Sequence, residues 1–197
     1  MMVGFDLDMT LADTRKGIGA VYQEISAATG VFIDVPLVQS RLGPPLEAEL
    51  AHWFPAARIP EMVTLFRSLY AAIALPATVE LAGAGEALRA VRAHGGRTMV
   101  VTAKNQVHAE ATLTFLGLDV DVVAGGLWSS AKGPALRRHG ATTYVGDHTG
   151  DVDAARTAGA FSLGVATGPF TSAELLAYGA DFVLPDLLAF PAWLNGQ

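Results

Sequence analysis

The chain has 197 residues, which is enough to bury a full hydrophobic core, and it contains no cysteine. The lack of cysteine excludes a disulfide framework, a thiolate metal site and a cysteine nucleophile, so any metal must be held by oxygen or imidazole. Thirteen basic and 19 acidic residues give a net charge of −6, which argues against nucleic acid as a partner.

The hydropathy pattern argues against secretion and against a membrane partner. A strand pattern begins at once and reaches an aspartate at position 6, which is not the design of a secretory signal. No apolar run reaches the ~18 residues that are needed to span a bilayer. We therefore expect a cytoplasmic protein, either a monomer or a homodimer.

The first part of the chain predicts one strand and then helices. The strand is the apolar run that leads to Asp6. The predicted helices cover residues 14–29, 46–53 and 60–73. Because residues 14–75 contain no alternating strand pattern, we expect a helical insertion with hinges near 11–15 and 76–83.

From residue 84 onward, helices and strands alternate. The predicted strands cover residues 97–102, 120–123, 143–147, 161–165 and 180–184. Near-continuous apolar strands separated by helices are typical of a parallel sheet that is covered on both faces. We therefore predict an α/β fold, with a Rossmann-like parallel sheet of five or six strands and an inserted α-helical cap.

Two acids and a hydroxyl stand at alternate positions where the first strand ends, namely Asp6, Asp8 and Thr10. Successive side chains of a strand point to opposite faces, so Asp6 and Asp8 start from the same face, roughly 6.5 Å apart. Two carboxylates at the end of an apolar strand repel each other, which favours a bound cation or a mechanistic reason for the pair. The alternative is a loop in which Thr10 or Asp13 caps the next helix.

The segment 146–151 repeats this arrangement. Asp147 stands at a strand end, and Asp151 follows four residues later on the first turn of a helix. Carboxylates gathered on one edge of a sheet suit a hard cation with oxygen ligands, and we expect octahedral Mg²⁺. The alternative for Asp151 is an N-terminal acid that the helix dipole favours.

Two more strand ends carry polar groups. Thr102 precedes Ala103 and Lys104 at a helix start, where a hydroxyl and free backbone N–H groups suit a phosphate oxygen. The alternative is that Thr102 is a plain helix N-cap. Lys132 starts the next helix, where a lysine is usually a solvated surface charge. Because the carboxyl ends of parallel strands share one edge, we expect these residues to converge with the acids.

The order of these residues resembles the four motifs of the haloacid dehalogenase superfamily, in its Mg²⁺-dependent phosphatase branch. The matching segments are Asp6-x-Asp8-x-Thr10, Thr102, Lys132 and Gly146-Asp147-x-x-x-Asp151. The helical block is similar to the cap of the phosphoglycolate phosphatase-like group, which segments 43–47, 66–70 and 102–104 also resemble. The resemblance implies a catalytic core of residues 1–13 and 80–197 and a cap of residues 14–79.

The resemblance also implies a role for each acid. Asp6 is expected to be the nucleophile, and Asp8 the general acid and base. Asp147 is expected to bind Mg²⁺ together with the Asp6 carboxylate and the main-chain carbonyl of Asp8. Asp151 is expected to support this metal site as a further acid.

Phosphate and substrate contacts follow from the same resemblance. Thr102 and Lys132 are expected to hold the phosphate. Further substrate candidates are Thr10, Ala103, Lys104, Arg41 and Arg67. The alternative for Arg41 and Arg67 is an ordinary surface or structural role.

The predicted function is hydrolysis of a small, phosphoglycolate-like phosphorylated metabolite through an aspartyl-phosphate intermediate. A phosphomutase acting on a sugar phosphate and a catalytically weak phosphate- or metal-binding sensor are the alternatives. A dehalogenase is disfavoured, because that chemistry does without the Asp8 acid. Two residues depart from the family pattern: Met9 stands where Gly is usual, and Lys132 is followed by Gly133 rather than directly by proline.

Overall fold

The computed structural model describes residues 1–196, so Gln197, which falls within the predicted core, lies outside the described residues. Its main sheet is parallel and consists of Met2–Phe5 (β1), Arg97–Val101 (β4), Val122–Ala124 (β5), Ala141–Gly146 (β6), Phe161–Val165 (β7) and Phe182–Leu184 (β8). The strand order across the sheet is β5-β4-β1-β6-β7-β8. The prediction of an α/β fold with a parallel sheet of five or six strands is therefore confirmed, and the sheet has six.

Helices cover both faces of the sheet and form the block between its first two strands. Those of the block are Arg15–Thr29 (α1), Val35–Ser40 (α2), Leu46–Leu50 (α3) and Ile59–Leu69 (α4). The remaining helices are Ala84–Ala93 (α5), Gln106–Leu116 (α6), Gly133–Arg138 (α7), Thr149–Ala158 (α8), Ser172–Tyr178 (α9) and Phe190–Asn195 (α10). Within residues 1–196, no helix is both long enough and apolar enough to cross a bilayer.

The central position of β1 decides where the site lies. This strand is buried on both faces and pairs with β4 on one side and β6 on the other. Its last residue, Phe5, is in register with Val100 and with Val145. Consequently Asp6, Thr102 and Asp147 emerge side by side at the carboxyl edge of the sheet.

The helical block has a hydrophobic cluster of its own. Tyr22 of α1, Phe66 of α4 and Tyr70 pack their rings against one another, with centroid distances of 5.4 and 6.3 Å. Side chains of the sheet and of its flanking helices form two other clusters, and one of them contains Val3 of β1 and Phe190 of α10. Apolar side chains are therefore buried separately in the block and against the sheet.

Two short strands join the block to the sheet, where the sequence predicted only hinges. Ala12–Asp13 (β2) and Val79–Glu80 (β3) pair antiparallel, with Ala12 in register with Glu80 and Asp13 with Val79. The entry and exit of the block are thus held side by side by backbone hydrogen bonds.

One helix prediction in the block was wrong in extent. α3 ends at Leu50 instead of near residue 53, and the chain continues in turns in which His52 N donates to Glu49 O and Trp53 N to Leu50 O. α4 gives way at Tyr70 to a π-helical turn, Tyr70–Ala74, followed by a 3₁₀ turn, Leu75–Ala77, that contains Pro76. The sequence analysis also missed α2, whose N-cap Asp34 accepts a hydrogen bond from Leu37 N.

Candidate active site

Three acids converge at the carboxyl edge of the sheet, as their positions after β1 and β6 predicted. Asp6, Asp147 and Asp151 are all buried, and each offers one carboxylate oxygen that lies within 4.8 Å of the other two. The Asp6 backbone N–H donates to Val145 O at 2.8 Å, which ties the end of β1 to β6. Asp151 lies on the first turn of α8, where its carboxylate accepts from His148 N at 3.1 Å.

The neighbours of Asp147 fix its orientation. Thr10 Oγ1 donates a 2.7 Å hydrogen bond to Asp147 Oδ1. Thr10, which the sequence analysis named as a substrate candidate, therefore binds this carboxylate. Gly168 packs against the other oxygen so closely that a Cβ at this position would clash with Asp147 Oδ2. The position of the carboxylate therefore depends on a hydroxyl on one side and on the lack of a side chain on the other.

Burial and repulsion by neighbouring carboxylates raise the pKa values of Asp6 and Asp147. Burial, followed by the charges of Asp151 and Asp8, raises the pKa of Asp6 to about 7, although Lys132 opposes the shift. Burial and the charges of Asp151 and Asp6 raise the pKa of Asp147 well above its usual value. A cluster that resists ionisation in this way gains stability from a neighbouring positive charge.

A divalent cation fits this cluster. Asp6 Oδ1 is buried and accepts no hydrogen bond from the described residues, although it lies 3.1 Å from Lys132 Nζ. A buried carboxylate oxygen without a donor is costly, and three carboxylates supply the oxygen donors that a hard cation prefers. Asp6, Asp147 and Asp151 are therefore the residues that would hold such an ion.

Lys132 is the cation that the structure itself places beside the acids. Its side chain is fully buried, and Nζ lies 2.7 Å from Asp151 Oδ1 and 3.1 Å from Asp6 Oδ1. Burial disfavours the charged ammonium, but the carboxylates of Asp151 and Asp6 outweigh burial and raise the pKa of Lys132. The alternative of a solvated surface lysine is thus wrong, because the turn before α7 directs the side chain into the acid cluster.

Tyr144 completes the surroundings of Lys132 and was missed by the sequence analysis. Its hydroxyl accepts from Lys132 Nζ at 2.9 Å and donates to Val101 O at 2.6 Å. Tyr144 lies within β6 and is fully buried, so its sequence signal is that of an ordinary core residue.

Asp8 does not join the acid cluster. Its Oδ1 accepts from Thr14 Oγ1 at 2.7 Å and lies 3.0 Å from Lys104 Nζ. The side chain is 16% exposed and lines a cavity between the helical block and the edge of the sheet. The carboxylate of Asp8 is thus directed away from the cluster of Asp6, Asp147 and Asp151 and toward this cavity.

The turn after Asp8 accommodates Met9 in a conformation that favours glycine. Met9 has a φ of 61°, and its side chain is buried. Its backbone N–H donates to Ala12 O, while three successive N–H groups of residues 10–12 donate to Leu7 O. A left-handed conformation costs a non-glycine residue about 1 kcal/mol, which burial of the side chain offsets.

Thr102 and Ala103 lie where the sequence predicted, but Thr102 is not the cap of α6. Asn105 occupies that position, and its side chain accepts from His108 N at 3.0 Å. The Thr102 hydroxyl instead accepts from Lys104 N at 3.2 Å and stays buried at the edge of the sheet. Ala103 lines the cavity next to Lys104.

The cavity is small, with a volume of about 90 Å³. Residues of both the block and the sheet edge line it, including Asp8, Tyr22, Glu47, Phe66, Arg67 and Lys104. Arg67 lies 3.1 Å from Glu47, and both side chains are about half exposed. Arg41 does not line this cavity, because its guanidinium is bound by both oxygens of Glu49 at 2.7 and 2.8 Å.

His108 and Tyr70 form part of the cavity wall that the sequence did not reveal. Their rings stack 4.1 Å apart with an interplanar angle of 10°, and Tyr70 Oη shares a 2.9 Å hydrogen bond with Thr112. Burial and the charges of Lys104 and Arg67 lower the pKa of His108 to about 4. The block and α6 thus meet through a neutral imidazole.

Comparison with known sequence families decides the identity. Residues 3–156 match the sequence family of haloacid dehalogenase-like hydrolases. Residues 130–190 match a second family, which is described as HAD-hydrolase-like. The chain belongs to the haloacid dehalogenase-like hydrolase family. The resemblance seen in the motifs is therefore confirmed.

Individual proteins resemble this haloacid dehalogenase-like hydrolase over most of its length. It is 31% identical to "Probable phosphatase IndB" of Dickeya dadantii, a match that covers 89% of this chain and 85% of that one. It is 27% identical to "Tyrosine-protein kinase PtkA" of Mycobacterium tuberculosis, covering 92% of this chain and 65% of that protein. The chain thus spans slightly less than two thirds of PtkA.

A solved structure shares the fold. The crystal structure of a predicted phosphoglycolate phosphatase from Haemophilus somnus aligns with this haloacid dehalogenase-like hydrolase over 100% of this chain and 97% of its own, with a TM-score of 0.81. The two sequences are 19% identical. The similarity therefore shows that the two proteins share a fold.

Proposed function

We propose that this protein is a Mg²⁺-dependent phosphatase that hydrolyses a small phosphorylated metabolite through an aspartyl-phosphate on Asp6. The observation that carries the proposal is the buried cluster of Asp6, Asp147 and Asp151 around Lys132, beside a cavity that Asp8 lines. The 31% identity to the probable phosphatase IndB supports the same reaction.

In this proposal the acids would hold Mg²⁺, and the main-chain carbonyl of Asp8 would contribute as well. When bound, Mg²⁺ would neutralise charge on the phosphoryl group and keep Asp6 ionised below its raised pKa of about 7. Lys132 would add a fixed positive charge, and the Thr102 hydroxyl would donate to a phosphoryl oxygen.

The chain's own residues then account for two balanced steps. In the first, a carboxylate oxygen of Asp6 bonds to phosphorus while the bond from phosphorus to the leaving oxygen breaks, and Asp8 gives that oxygen its proton. In the second, Asp8 takes a proton from a water whose oxygen bonds to phosphorus, the aspartyl–phosphate bond breaks, and inorganic phosphate leaves.

The cavity between the helical block and the sheet edge favours a small substrate. We propose that residues 14–79 form the cap of the site and that residues 1–13 and 80–197 form the core. A cavity of about 90 Å³ suits a leaving group of a few heavy atoms, in keeping with a phosphoglycolate-like substrate. Arg67 is a candidate contact for the part of the substrate beyond the phosphate, while Arg41 is held by Glu49. We also propose that the protein acts in the cytoplasm.

The test is release of inorganic phosphate from 4-nitrophenyl phosphate and from a panel of phosphorylated metabolites. The proposal predicts turnover with Mg²⁺, loss of turnover with a chelator, and loss in Asp6→Asn. The matched control is Asp119→Asn, which removes an exposed acid that pairs with Arg92 before the amino end of β5 and should retain activity.

Other outcomes separate the alternatives. Equal activity in wild type, Asp6→Asn and the chelated sample would refute the mechanism. Isomerisation of a sugar phosphate without release of phosphate would establish a phosphomutase. Tight binding of phosphate or metal without turnover on the whole panel would establish a sensor.

A further inference from the structure

We propose that Lys104 is a positioning residue for Asp8, which it holds so that one defined oxygen, Oδ2, exchanges the proton of the reaction. This inference rests on the phosphatase function proposed above and assigns its proton-transfer atom. The residues that carry it are Lys104, Asp8, Thr14 and Tyr70.

The contacts of Asp8 are asymmetric. Both of its donors reach the same oxygen, since Thr14 Oγ1 lies 2.7 Å and Lys104 Nζ 3.0 Å from Oδ1. Among residues 1–196, no side chain or backbone group donates to Oδ2. In the protonated acid Oδ1 is therefore the carbonyl oxygen, which still accepts from Lys104, and the proton resides on Oδ2.

Lys104 is built into the structure as a fixed donor. Its side chain is only 7% exposed, and the Tyr70 ring covers it, with Nζ 4.7 Å from the ring centroid. Burial disfavours the ammonium, but the Asp8 carboxylate raises the pKa of Lys104, so the side chain stays charged. A buried ammonium with one carboxylate partner cannot turn away from it without losing that pair in a medium of low dielectric constant.

Tyr70 connects this donor to the helical block. It belongs to the π-helical turn after α4, while its ring stacks on His108 of α6 and its hydroxyl bonds Thr112. Lys104 is thus sheltered by the block and anchored next to α6. The Tyr70 ring therefore shields Lys104, while Asp8 still faces the cavity.

The proton balance gives a specific signature. In the first step the Oδ2–H bond breaks as an O–H bond forms on the leaving oxygen, so misplacement of Asp8 harms esters whose alkoxide is a poor leaving group. A nitrophenolate leaves without a proton and needs little help. General acid catalysis typically contributes 10²–10⁴-fold, which bounds the effect.

The experiment measures kcat/KM for Lys104→Met with an alkyl phosphate and with 4-nitrophenyl phosphate. The expected loss is on the order of 10²-fold for the alkyl ester and less than about 10-fold for the aryl ester. Lys104→Gln, which can still donate to Oδ1, should show a smaller loss with the same preference. Lys16→Met, at an exposed lysine of α1, is the matched control.

A double-mutant cycle with Asp8→Asn separates positioning from a general structural role. If Lys104 acts through Asp8, adding Lys104→Met to Asp8→Asn should cause no further loss. Equal losses on both esters, or additive losses in the double mutant, would overturn the inference while leaving the phosphatase function intact. Should Lys104→Met fail to fold, Lys104→Gln and Tyr70→Leu provide the same comparison of esters. An inactive wild type would instead refute the proposed function, and this inference with it.

Discussion

Replacing Lys132 by methionine tests how the buried acids are held together. Nζ lies 2.7 Å from Asp151 and 3.1 Å from Asp6, and at an effective dielectric constant of about 20 these pairs attract by about 6 and 5 kcal/mol. Desolvation of the ammonium cancels several kcal/mol of this attraction. Because Lys132→Met leaves carboxylates buried without a partner, we expect a net loss of about 3–5 kcal/mol in the free energy of unfolding.

Thermal denaturation in chelator provides the measurement. In a domain of this size, each kcal/mol corresponds to about 2–4 °C, so Tm should fall by about 6–20 °C. The loss should shrink toward about pH 5, because Asp6, with its pKa of about 7, then binds a proton in the folded state. Added Mg²⁺ should restore part of the stability, since it supplies the missing positive charge.

The control is Lys16→Met, which removes a charge from the exposed face of α1 and should change Tm by no more than a few degrees. If Lys132→Met were no less stable than this control, Lys132 would not compensate the acids, and the electrostatic account of the site would be refuted.

Three further predictions address single positions. Gly168→Ala should displace Asp147 and weaken Mg²⁺ binding by about 10–100-fold in calorimetry, whereas Gly196→Ala, whose Cβ meets no atom closer than 3.5 Å, should not; equal affinities would contradict the packing argument. Met9→Gly relieves about 1 kcal/mol of backbone strain but removes a buried side chain, so urea denaturation should show a net loss of about 1–3 kcal/mol, and a gain would contradict this balance. Because the pKa of His108 is lowered to about 4, the unfolded state binds a proton more readily, and stability should fall as the pH decreases from 6.5 toward 4; His108→Asn should flatten this slope, and an unchanged slope would exclude His108 as its source.

The sequence revealed the acid cluster because sheet topology places strand ends together. Asp6 and Asp147 each follow an apolar strand. Because β1 and β6 are neighbours in the parallel sheet, the two acids lie at the same edge regardless of the loop conformations. Asp151 follows from the turn of α8 that begins after Asp147. Each of these acids directly follows a recognisable strand or lies in the first turn of the next helix, so the order of strands in the sheet is enough to place them together.

The surroundings of the acids could not be read in the same way. Nothing in the sequence near Lys132 distinguishes a buried ammonium from a solvated one, because its burial depends on Asp6 and Asp151, which lie 126 and 19 positions away. Tyr144 looks like a core residue of β6 until Lys132 reaches its hydroxyl. Side-chain pairs between distant segments are settled by packing, which periodicity does not encode.

The sequence also did not allow us to predict how the helical block contacts the edge of the sheet. Tyr70 fits the apolar face of a helix, and only the π-helical turn and its stacking on His108 show that it belongs to the cavity wall. Likewise, the sequence shows that Met9 stands where the family usually has Gly, but the left-handed backbone at this residue is visible only in the structure.

The pairing of β2 with β3 makes the whole helical block the loop of one very long hairpin. Since Asp13 and Val79 face each other across that ladder, a short turn could bridge them without disturbing the strand order of the main sheet. The segment between these two residues could therefore be exchanged or enlarged while Asp6 and Asp147 keep their places at the carboxyl edge of the main sheet.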